Sequence, residues 1–263
     1  MPYQAILLER EGPLAIVTLN RPEKRNAIDR TMFDEVEAAF GELAADEGCR
    51  VVILTGAGGA FSSGADLASG AEDVASRTAP GFHERMREVG RMIEAVASFP
   101  KPVIAAVSGV AAGGGCNLAL VCDIVLASED ARFAELFVRR GLTVDMGGIW
   151  ALPRRVGLHR AKELAFTGDF VDAKEAADMG LVNRVVPAAA LLDEAKDLAR
   201  RIAANAPVAI RLAKEGLNRS STMTLAEALE YESQAQAICF ASEDVQEGVA
   251  AFFQKREPEF RGR

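Results

Sequence analysis

The sequence predicts an α/β fold followed by a helical C-terminal region. Short apolar runs rich in β-branched residues, which are typical of buried strands, alternate with segments whose apolar residues recur at helical spacing. Turns that contain glycine or proline separate the two kinds of segment, and beyond Leu158 the pattern becomes mostly helical. Strands that alternate with helices in this way indicate α/β architecture.

The N-terminal elements follow one another closely. The apolar run from Leu14 to Leu19 predicts a strand, and Pro22 shortly after it favours extended backbone and a loop. An amphipathic helix comes next, marked by Phe33, Val36, Phe40 and Leu43. The run from Val51 to Leu54 then predicts a second buried strand.

The central part of the chain repeats the alternation. A polar stretch around Ser69 to Gly81 precedes a helix expected from about His83 to Ser98, which must end before Pro100. The apolar run from Val103 to Val107 predicts another strand. The cluster Gly113-Gly114-Gly115 leads directly into an apolar segment, so we place it at the N-terminus of a helix.

The C-terminal part is expected to be helical. An apolar stripe at helical spacing is formed by Leu191, Leu192, Ala195, Leu198 and Ile202. Further helical segments continue to about Phe253, and a short charged tail follows. We therefore assign residues 1–200 to an α/β core and residues 201–263 to a C-terminal helical region.

Composition excludes several classes of protein. The chain has 263 residues, of which 49% are hydrophobic and 26% charged, as in an ordinary globular protein. Its net charge of −8 disfavours binding to nucleic acid or to an anionic membrane surface. No targeting or membrane-spanning pattern is visible, which predicts a cytoplasmic protein. Four scattered cysteines and two histidines predict reduced packing residues rather than a metal site.

Two glycine-rich segments are candidates for binding an oxyanion. One runs from Gly56 to Ala65, and the other is the cluster at Gly114. Backbone N–H groups exposed in such turns can converge on one oxygen, and a donor at a helix N-terminus gains the positive end of the helix dipole. The N–H groups of Ala65 and Gly114 would each stabilise an enolate by ~3 kcal/mol. The alternative is that the glycines only make tight turns.

Several motifs in a fixed order resemble the crotonase, or enoyl-CoA hydratase/isomerase, superfamily over nearly the whole chain. They are Leu19-Asn20-Arg21-Pro22 with Asn26-Ala27, Phe61-Ser62-Ser63-Gly64-Ala65-Asp66-Leu67, Lys101-Pro102-Val103 running into Gly113-Gly114-Gly115, Cys122-Asp123-Ile124, Phe166-Thr167-Gly168, Met179-Gly180-Leu181-Val182 and Glu247-Gly248 with Lys255-Arg256. The resemblance implies a spiral of ββα units, a C-terminal helical trimerisation region, and a homotrimer or a dimer of trimers.

The same resemblance implies an acyl-CoA thioester substrate, with coenzyme A as part of the substrate and no other cofactor or metal. The N–H groups of Ala65 and Gly114 would form the oxyanion hole. The matching CoA- and substrate-binding candidates are Lys24, Arg25, Ala27, Gly64, Ala65, Asp66, Leu67 and Gly114, together with Phe252 and Lys255 of a neighbouring copy. For the three basic residues, the alternative is a solvated surface charge.

The sequence departs from the hydratases of this family at both of their catalytic glutamates. Asn117 stands at the first position and Phe137 at the second. An amide cannot act as a general base near neutral pH, and a phenyl ring cannot exchange protons. The usual machinery that activates water for hydration is therefore missing.

Asp145 is the carboxylate that we expect to take over acid/base work. It lies among Val144, Met146 and Trp150, and an apolar setting would raise its pKa. Its alternative role is to cap a loop. Glu135 is a possible second acid or a hydrogen-bonding support. We expect Trp150 itself to lie in the core rather than in the wall of an acyl pocket.

The segment around Asp145 most resembles isomerases that open 1,2-epoxyphenylacetyl-CoA or shift Δ3 double bonds to Δ2, and this favours an enoyl-CoA isomerase. The alternatives are an enoyl-CoA hydratase of fatty-acid β-oxidation, an aryl-CoA dehalogenase or hydrolase with Asp145 as nucleophile, and a non-catalytic acyl-CoA binder. Binding of RNA is disfavoured by the acidic balance. The acyl group is left open, because part of the pocket wall is expected from the loop between Leu67 and Phe82.

Overall fold

The structure, a computed structural model, describes residues 2–67 and 79–263. The described strands are β1 (Ile6–Glu11), β2 (Leu14–Leu19), β3 (Val51–Gly56), β4 (Val103–Val107), β5 (Val110–Ala112), β6 (Ile124–Ser128), β7 (Arg132–Ala134), β8 (Phe170–Asp172) and β9 (Arg184–Val186). The described helices are α1 (Arg30–Ala45), α2 (Ala79–Ala97), α3 (Gly114–Leu120), α4 (Gly148–Thr167), α5 (Ala173–Asp178), α6 (Leu191–Ala203), α7 (Pro207–Arg219), α8 (Leu225–Phe240) and α9 (Glu243–Gln254). The polar stretch expected between Ser69 and Gly81 lies mostly outside the described residues.

A six-stranded sheet forms the centre of the molecule, in the order β1-β2-β3-β4-β6-β9. Strands β2, β3, β4, β6 and β9 run parallel, whereas β1 pairs with β2 in the antiparallel direction. Successive side chains of a strand point to opposite faces of a sheet. Val52 and Leu54 accordingly belong to the larger core, while Val51 and Ile53 pack with α6 residues on the other face. Burial on both faces explains why these strands are continuously apolar.

A smaller sheet, β5-β7-β8, lies beside the first and repeats its connections. Strand β5 pairs in parallel with β7, and two isolated parallel bridges, Ile28 with Ala65 and Ser62 with Ala111, extend the same pattern toward the N-terminus. Each long strand is thus followed by a short one and a helix, as in β4-β5-α3 and β6-β7-α4. The repeated ββα units expected for a spiral are confirmed, and so is the α/β class.

Several predicted boundaries were wrong. Helix α2 begins at Ala79 rather than near His83, and β1 was not anticipated. The region beyond Leu158 contains β8 and β9 as well as helices, because strands of three residues are too short to show a period. The helices end at Gln254, close to the predicted end near Phe253. Helix α6 spans the boundary placed after residue 200, and the division into a core and a C-terminal helical region stays a prediction.

The described residues contain no helix long and apolar enough to cross a membrane. Within the same ranges, no group of three His, Cys, Asp or Glu side chains is placed to hold a metal ion. The cysteines are free thiols, and Cys49, Cys116 and Cys122 are buried.

Candidate active site

Hydrogen bonds hold the two glycine segments against each other. Ser62 pairs with Ala111 just before α3, and the Ala112 N–H donates to the Ser62 carbonyl at 2.9 Å. Gly64 has φ +90°, and a Cβ there would lie 2.6 Å from the Ala112 carbonyl and 3.3 Å from the Gly114 nitrogen. Only glycine permits this close approach and this backbone conformation. The sequence prediction that these segments share a site is consistent with this geometry.

The Ala65 and Gly114 N–H groups are both available as donors. The bridge to Ile28 uses the Gly64 carbonyl and the Asp66 N–H, which leaves the Ala65 N–H outside that pairing. Gly114 is the first residue of α3, where N–H groups have no partner within the helix. Neither group donates to any other described residue. Both N–H groups can therefore donate to a further acceptor, with the helix dipole behind the one at Gly114.

Met146 closes one side of the α3 N-terminus, a contact that sequence reasoning missed. A Cβ added to Gly114 would lie 2.2 Å from the Met146 sulfur, so Gly114 and Met146 are in contact. Met146 is buried, and its φ of +49° is unusual for a residue with a side chain. Such strain is often found at functional sites. No signal in the sequence distinguishes this methionine from a packing residue.

Asn117, Glu135 and Asp145 form one polar cluster behind the glycines. The Asn117 Nδ2 donates to Glu135 Oε2 at 3.3 Å and to the Asp145 main-chain carbonyl at 2.9 Å. Asn117 is fully buried and Glu135 is 1% exposed. The same three residues carry side-chain oxygens that are buried without a hydrogen-bonding partner: Asn117 Oδ1, Glu135 Oε1 and Asp145 Oδ1. The structure thus brings together three candidates that are far apart in the chain.

Burial sets the acidity of the two carboxyl groups. It raises the pKa of Asp145 from 3.8 to about 6. Burial also raises the pKa of Glu135 from 4.5 to about 7, and the charge on Asp145 adds to this rise, while hydrogen bonds from Cys116 and Asn117 oppose it. Asp145 therefore loses its proton first, and an ionised aspartate and a protonated glutamate coexist near neutral pH. The direction expected for Asp145 from its apolar neighbours agrees with this.

Phe137 contributes an apolar wall instead of an acid. Its side chain is buried, and its ring lies 3.7 Å from the position of a Cβ on Gly113, next to the oxyanion donors. Asn117 likewise faces the loop before α4, because a Cβ on Gly148 would lie 2.4 Å from its amide. The structure therefore places a phenyl ring and an amide, neither of them a general base, around the α3 N-terminus.

The predicted CoA-binding segment is held by an ion-pair cluster. Asp66 Oδ2 accepts from Arg21 at 2.9 Å and from Lys24 at 3.0 Å. Arg21 also donates to the Ala27 carbonyl at 2.6 Å, which ties the two segments together. Arg25 is exposed in a left-handed conformation, and its carbonyl accepts from the Ser63 N–H. Arg21 was missed as an organising residue, although it stands in the Asn20-Arg21-Pro22 motif.

The remaining binding candidates are accessible side chains. Leu67 is 55% exposed at the end of the first described range, and Phe252 is 77% exposed near the end of α9. Lys255 follows α9 in a left-handed conformation. A contribution of Phe252 and Lys255 to the site of a neighbouring copy stays a prediction.

An apolar cavity of about 310 Å³ adjoins Met146. Its lining residues are Met86, Val89, Gly90, Ile93, Glu94, Ala97, Val121, Met146, Gly147 and Trp150. Trp150 is 42% exposed and lies under the Arg154 guanidinium at 4.4 Å, so the expectation of a core tryptophan was wrong. Met146 lines this cavity and also contacts Gly114, so it lies between the two.

Comparison with known proteins agrees with this arrangement. The sequence model of the family described as enoyl-CoA hydratase/isomerase matches residues 9–263. The chain belongs to this family. It is 41% identical over 260 residues to the short-chain-enoyl-CoA hydratase of Clostridium acetobutylicum, covering 98% of each chain. It is 39% identical over 261 residues to the crotonyl-CoA hydratase of Syntrophomonas wolfei, covering 99% of each.

Solved structures of the enoyl-CoA hydratase/isomerase family share the fold. The crystal structure of an enoyl-CoA hydratase from Bacillus anthracis superposes with a TM-score of 0.94 at 35% identity, covering 99% of this chain and 100% of that one. The chain is therefore an enzyme of the crotonase superfamily that acts on acyl-CoA thioesters. The described site shows where it differs from the hydration machinery expected for such enzymes.

Proposed function

We propose that this protein is an enoyl-CoA isomerase that uses Asp145 as its acid/base and the Ala65 and Gly114 N–H groups as an oxyanion hole. The observation that carries the proposal is the replacement of acid groups around the α3 N-terminus by Asn117 and Phe137, while Asp145 remains with a pKa of about 6. A base whose pKa lies near the working pH suits reversible proton transfer.

The reaction needs one carboxylate and no added water. Asp145 removes a proton from the α-carbon of a Δ3-enoyl thioester, and the electron pair moves to the thioester oxygen to form a dienolate conjugated with the double bond. The Ala65 and Gly114 N–H groups stabilise that oxyanion, each by ~3 kcal/mol. Asp145 then returns the proton to the γ-carbon, which moves the double bond and yields the conjugated Δ2 thioester. An epoxide-derived aromatic thioester would use the same enolate.

The apolar cavity beside Met146 suits the acyl chain in this scheme. It lies between α2 and α4, with Met146 between it and Gly114, and its lining is mainly aliphatic and aromatic. Gly90 adds room, because a Cβ there would meet no atom within 4 Å. We therefore place an apolar acyl group in this cavity and the CoA moiety toward Lys24 and Arg25.

Hydration of Δ2-enoyl-CoA is the second candidate, and the names of the relatives favour it. The relatives from Clostridium acetobutylicum and Syntrophomonas wolfei are both named hydratases. Hydration would need Asp145 and Glu135 to replace the two glutamates of the hydratases. Use of Asp145 as a nucleophile is a weaker alternative, since it needs a further base to activate water.

Assembly and location are proposals of the same kind. Large apolar side chains are exposed on the C-terminal helices, among them Leu217, Phe240, Phe252 and Phe253. Exposed apolar area of this kind is typical of a covered interface. A homotrimer or a dimer of trimers in the cytoplasm is what we expect from the resemblance to the family.

The test of the function is a panel of acyl-CoA substrates. Δ3-enoyl, Δ2-enoyl and aromatic acyl-CoAs are incubated separately with the protein, and products are separated by liquid chromatography with mass spectrometry. Isomerisation leaves the mass unchanged but moves the retention time, whereas hydration adds the mass of one water. Conversion of Δ3 to Δ2 thioesters faster than hydration of Δ2 thioesters supports the isomerase, and the reverse order supports the hydratase.

A further inference from the structure

Three buried side-chain oxygens of the described residues lack a hydrogen-bonding partner, and all belong to the cluster around Asn117. They are Asn117 Oδ1, Glu135 Oε1 and Asp145 Oδ1. An unsatisfied buried acceptor costs ~1–3 kcal/mol, and native proteins rarely leave such groups unpaired. Unpartnered oxygens on three neighbouring residues indicate a site for a molecule that donates hydrogen bonds.

The three residues converge from separate elements. Asn117 belongs to α3, Glu135 follows β7, and Asp145 precedes α4. The Asn117 Nδ2 donates to Glu135 Oε2 at 3.3 Å and to the main-chain carbonyl of Asp145 at 2.9 Å. The Asp145 carboxyl is close enough to Glu135 for its charge to raise the pKa of Glu135. Because Asn117 is fully buried and Glu135 is 1% exposed, bulk solvent cannot freely reach these oxygens to hydrogen-bond with them.

The hydrogen-bond donors and acceptors of the three side chains identify the bound molecule as water. When Glu135 is ionised, all three oxygens are acceptors, and one water molecule has only two hydrogens to give. When Glu135 carries a proton, its O–H donates to the water, and the water donates to Asn117 Oδ1 and Asp145 Oδ1. Every group is then satisfied, as is usual for buried water, which makes about three hydrogen bonds.

We propose that Asn117, Glu135 and Asp145 hold one buried water molecule between their unpartnered oxygens, and that protonated Glu135 is the positioning residue that orients this water on Asp145. The role of this water is to adjust the basicity of Asp145, and that role rests on the proposed function. The presence of the water between the three residues does not depend on the proposed function.

The electrostatic surroundings support a proton on Glu135. Burial raises its pKa to about 7, above the value of about 6 for Asp145. The titratable or polar groups that face Glu135 are the Asp145 carboxyl, the Asn117 amide and the Cys116 thiol, and burial raises the pKa of that thiol so that it stays neutral. Among the described residues no Lys or Arg forms an ion pair with Glu135, and nearby Arg139 pairs with Asp169.

The proposal predicts an alkaline limit to activity. Above a pKa of about 7, Glu135 becomes a second negative charge beside Asp145, and the water can no longer satisfy three acceptors. The extra charge also opposes formation of the enolate. Since one pH unit above a pKa leaves about a tenth of the group protonated, kcat/KM should fall about tenfold by about pH 8.

The pH profile of kcat/KM for a Δ3-enoyl-CoA tests this with wild type and Glu135→Gln, and Glu129→Gln serves as control because Glu129 is exposed and outside the site. Glutamine keeps a donor at every pH. Glu135→Gln should stay within about threefold of wild type near about pH 6.5 and show no fall near about pH 8. The kcat/KM of wild type and that of the Glu129→Gln control should both fall near about pH 8. An alkaline limb that persists in Glu135→Gln, or is missing from wild type, overturns the proposal.

A second measurement needs no turnover. Carbon-detected NMR follows the Glu135 carboxyl through a pH titration of the wild-type protein, and a high-resolution crystal structure locates ordered water. The carboxyl should titrate near 7, in Asp145→Asn it should titrate lower, and one water should contact all three residues. Titration near 4.5, or side chains that satisfy one another without water, contradicts the proposal. If no enoyl-CoA is turned over but Glu135 titrates near 7 beside a water, the proposed function fails and the water site stands.

Discussion

Glu135→Gln is expected to stabilise the protein at alkaline pH and to change its stability little at acid pH. The pKa of Glu135 is about 7 in the folded protein against 4.5 for an ordinary glutamate. Below 4.5 both the folded and the unfolded chain carry the proton, and between 4.5 and about 7 the folded chain holds more of it. Wild-type stability therefore falls as pH rises through this window, because the carboxyl is buried when it ionises.

The size of the effect follows from the difference between the two pKa values. A gap of about 2.5 corresponds to ~3 kcal/mol at 1.36 kcal/mol per pKa unit, and this is an upper estimate. Glu135 is 1% exposed, so screening by solvent does not reduce it much. Glutamine removes the ionisation but keeps an acceptor for the Asn117 Nδ2. Changes in packing are independent of pH and cancel when two pH values are compared.

Urea unfolding of wild type, Glu135→Gln and the exposed control Glu129→Gln measures this effect. The free energy of unfolding of Glu135→Gln minus that of wild type should rise by ~3 kcal/mol between about pH 4.5 and about pH 8. Asp145 is present in all three proteins, so its own ionisation largely cancels. A difference that stays constant with pH would show that Glu135 is not buried as an acid in the way the structure indicates.

Further changes test the other parts of the site. Gly114→Pro removes the backbone N–H, and a Met146→Ala background avoids a clash with the Met146 sulfur. In that background Gly114→Pro should lower kcat by ~10²-fold relative to Gly114→Ala, which keeps the donor. Equal kcat values would exclude the Gly114 N–H from the oxyanion hole. Lys24→Ala with Arg25→Ala should raise KM more than it lowers kcat, and the difference should shrink at high salt; unchanged KM in steady-state assays removes both from CoA binding. Gly90→Leu fills the apolar cavity and should reduce kcat/KM for long acyl chains at least tenfold more than for four-carbon chains; an equal effect on both would place the acyl chain elsewhere.

The sequence predicted the parts of the site that depend on local chemistry. Glycines at 64 and 114 were recognised because only glycine allows close backbone approach, and the structure shows that approach at Gly64 with φ +90°. Asp145 was recognised because its neighbours along the chain are apolar, and burial does raise its pKa. Both inferences needed only the nearest residues and the motif order.

Features set by packing between distant segments were not predictable. The left-handed backbone of Met146 and its contact with Gly114 depend on how α3 and α4 meet, and no residue pattern marks them. The exposure of Trp150 likewise depends on the groove beside α2. Glu135 was recognised only as a nearby acid, since its link to Asn117 joins residues that lie 18 positions apart.

The central claim is that Asp145 moves the proton, and Asp145→Asn tests it most directly. Asparagine preserves the shape and removes the basicity, so conversion of a Δ3-enoyl-CoA to its Δ2 isomer should fall by about 10²–10⁴-fold while binding of the CoA thioester changes little. Rates come from the absorbance of the conjugated thioester, and binding comes from calorimetry on the same preparation. A folded Asp145→Asn protein that isomerises at the wild-type rate contradicts the account.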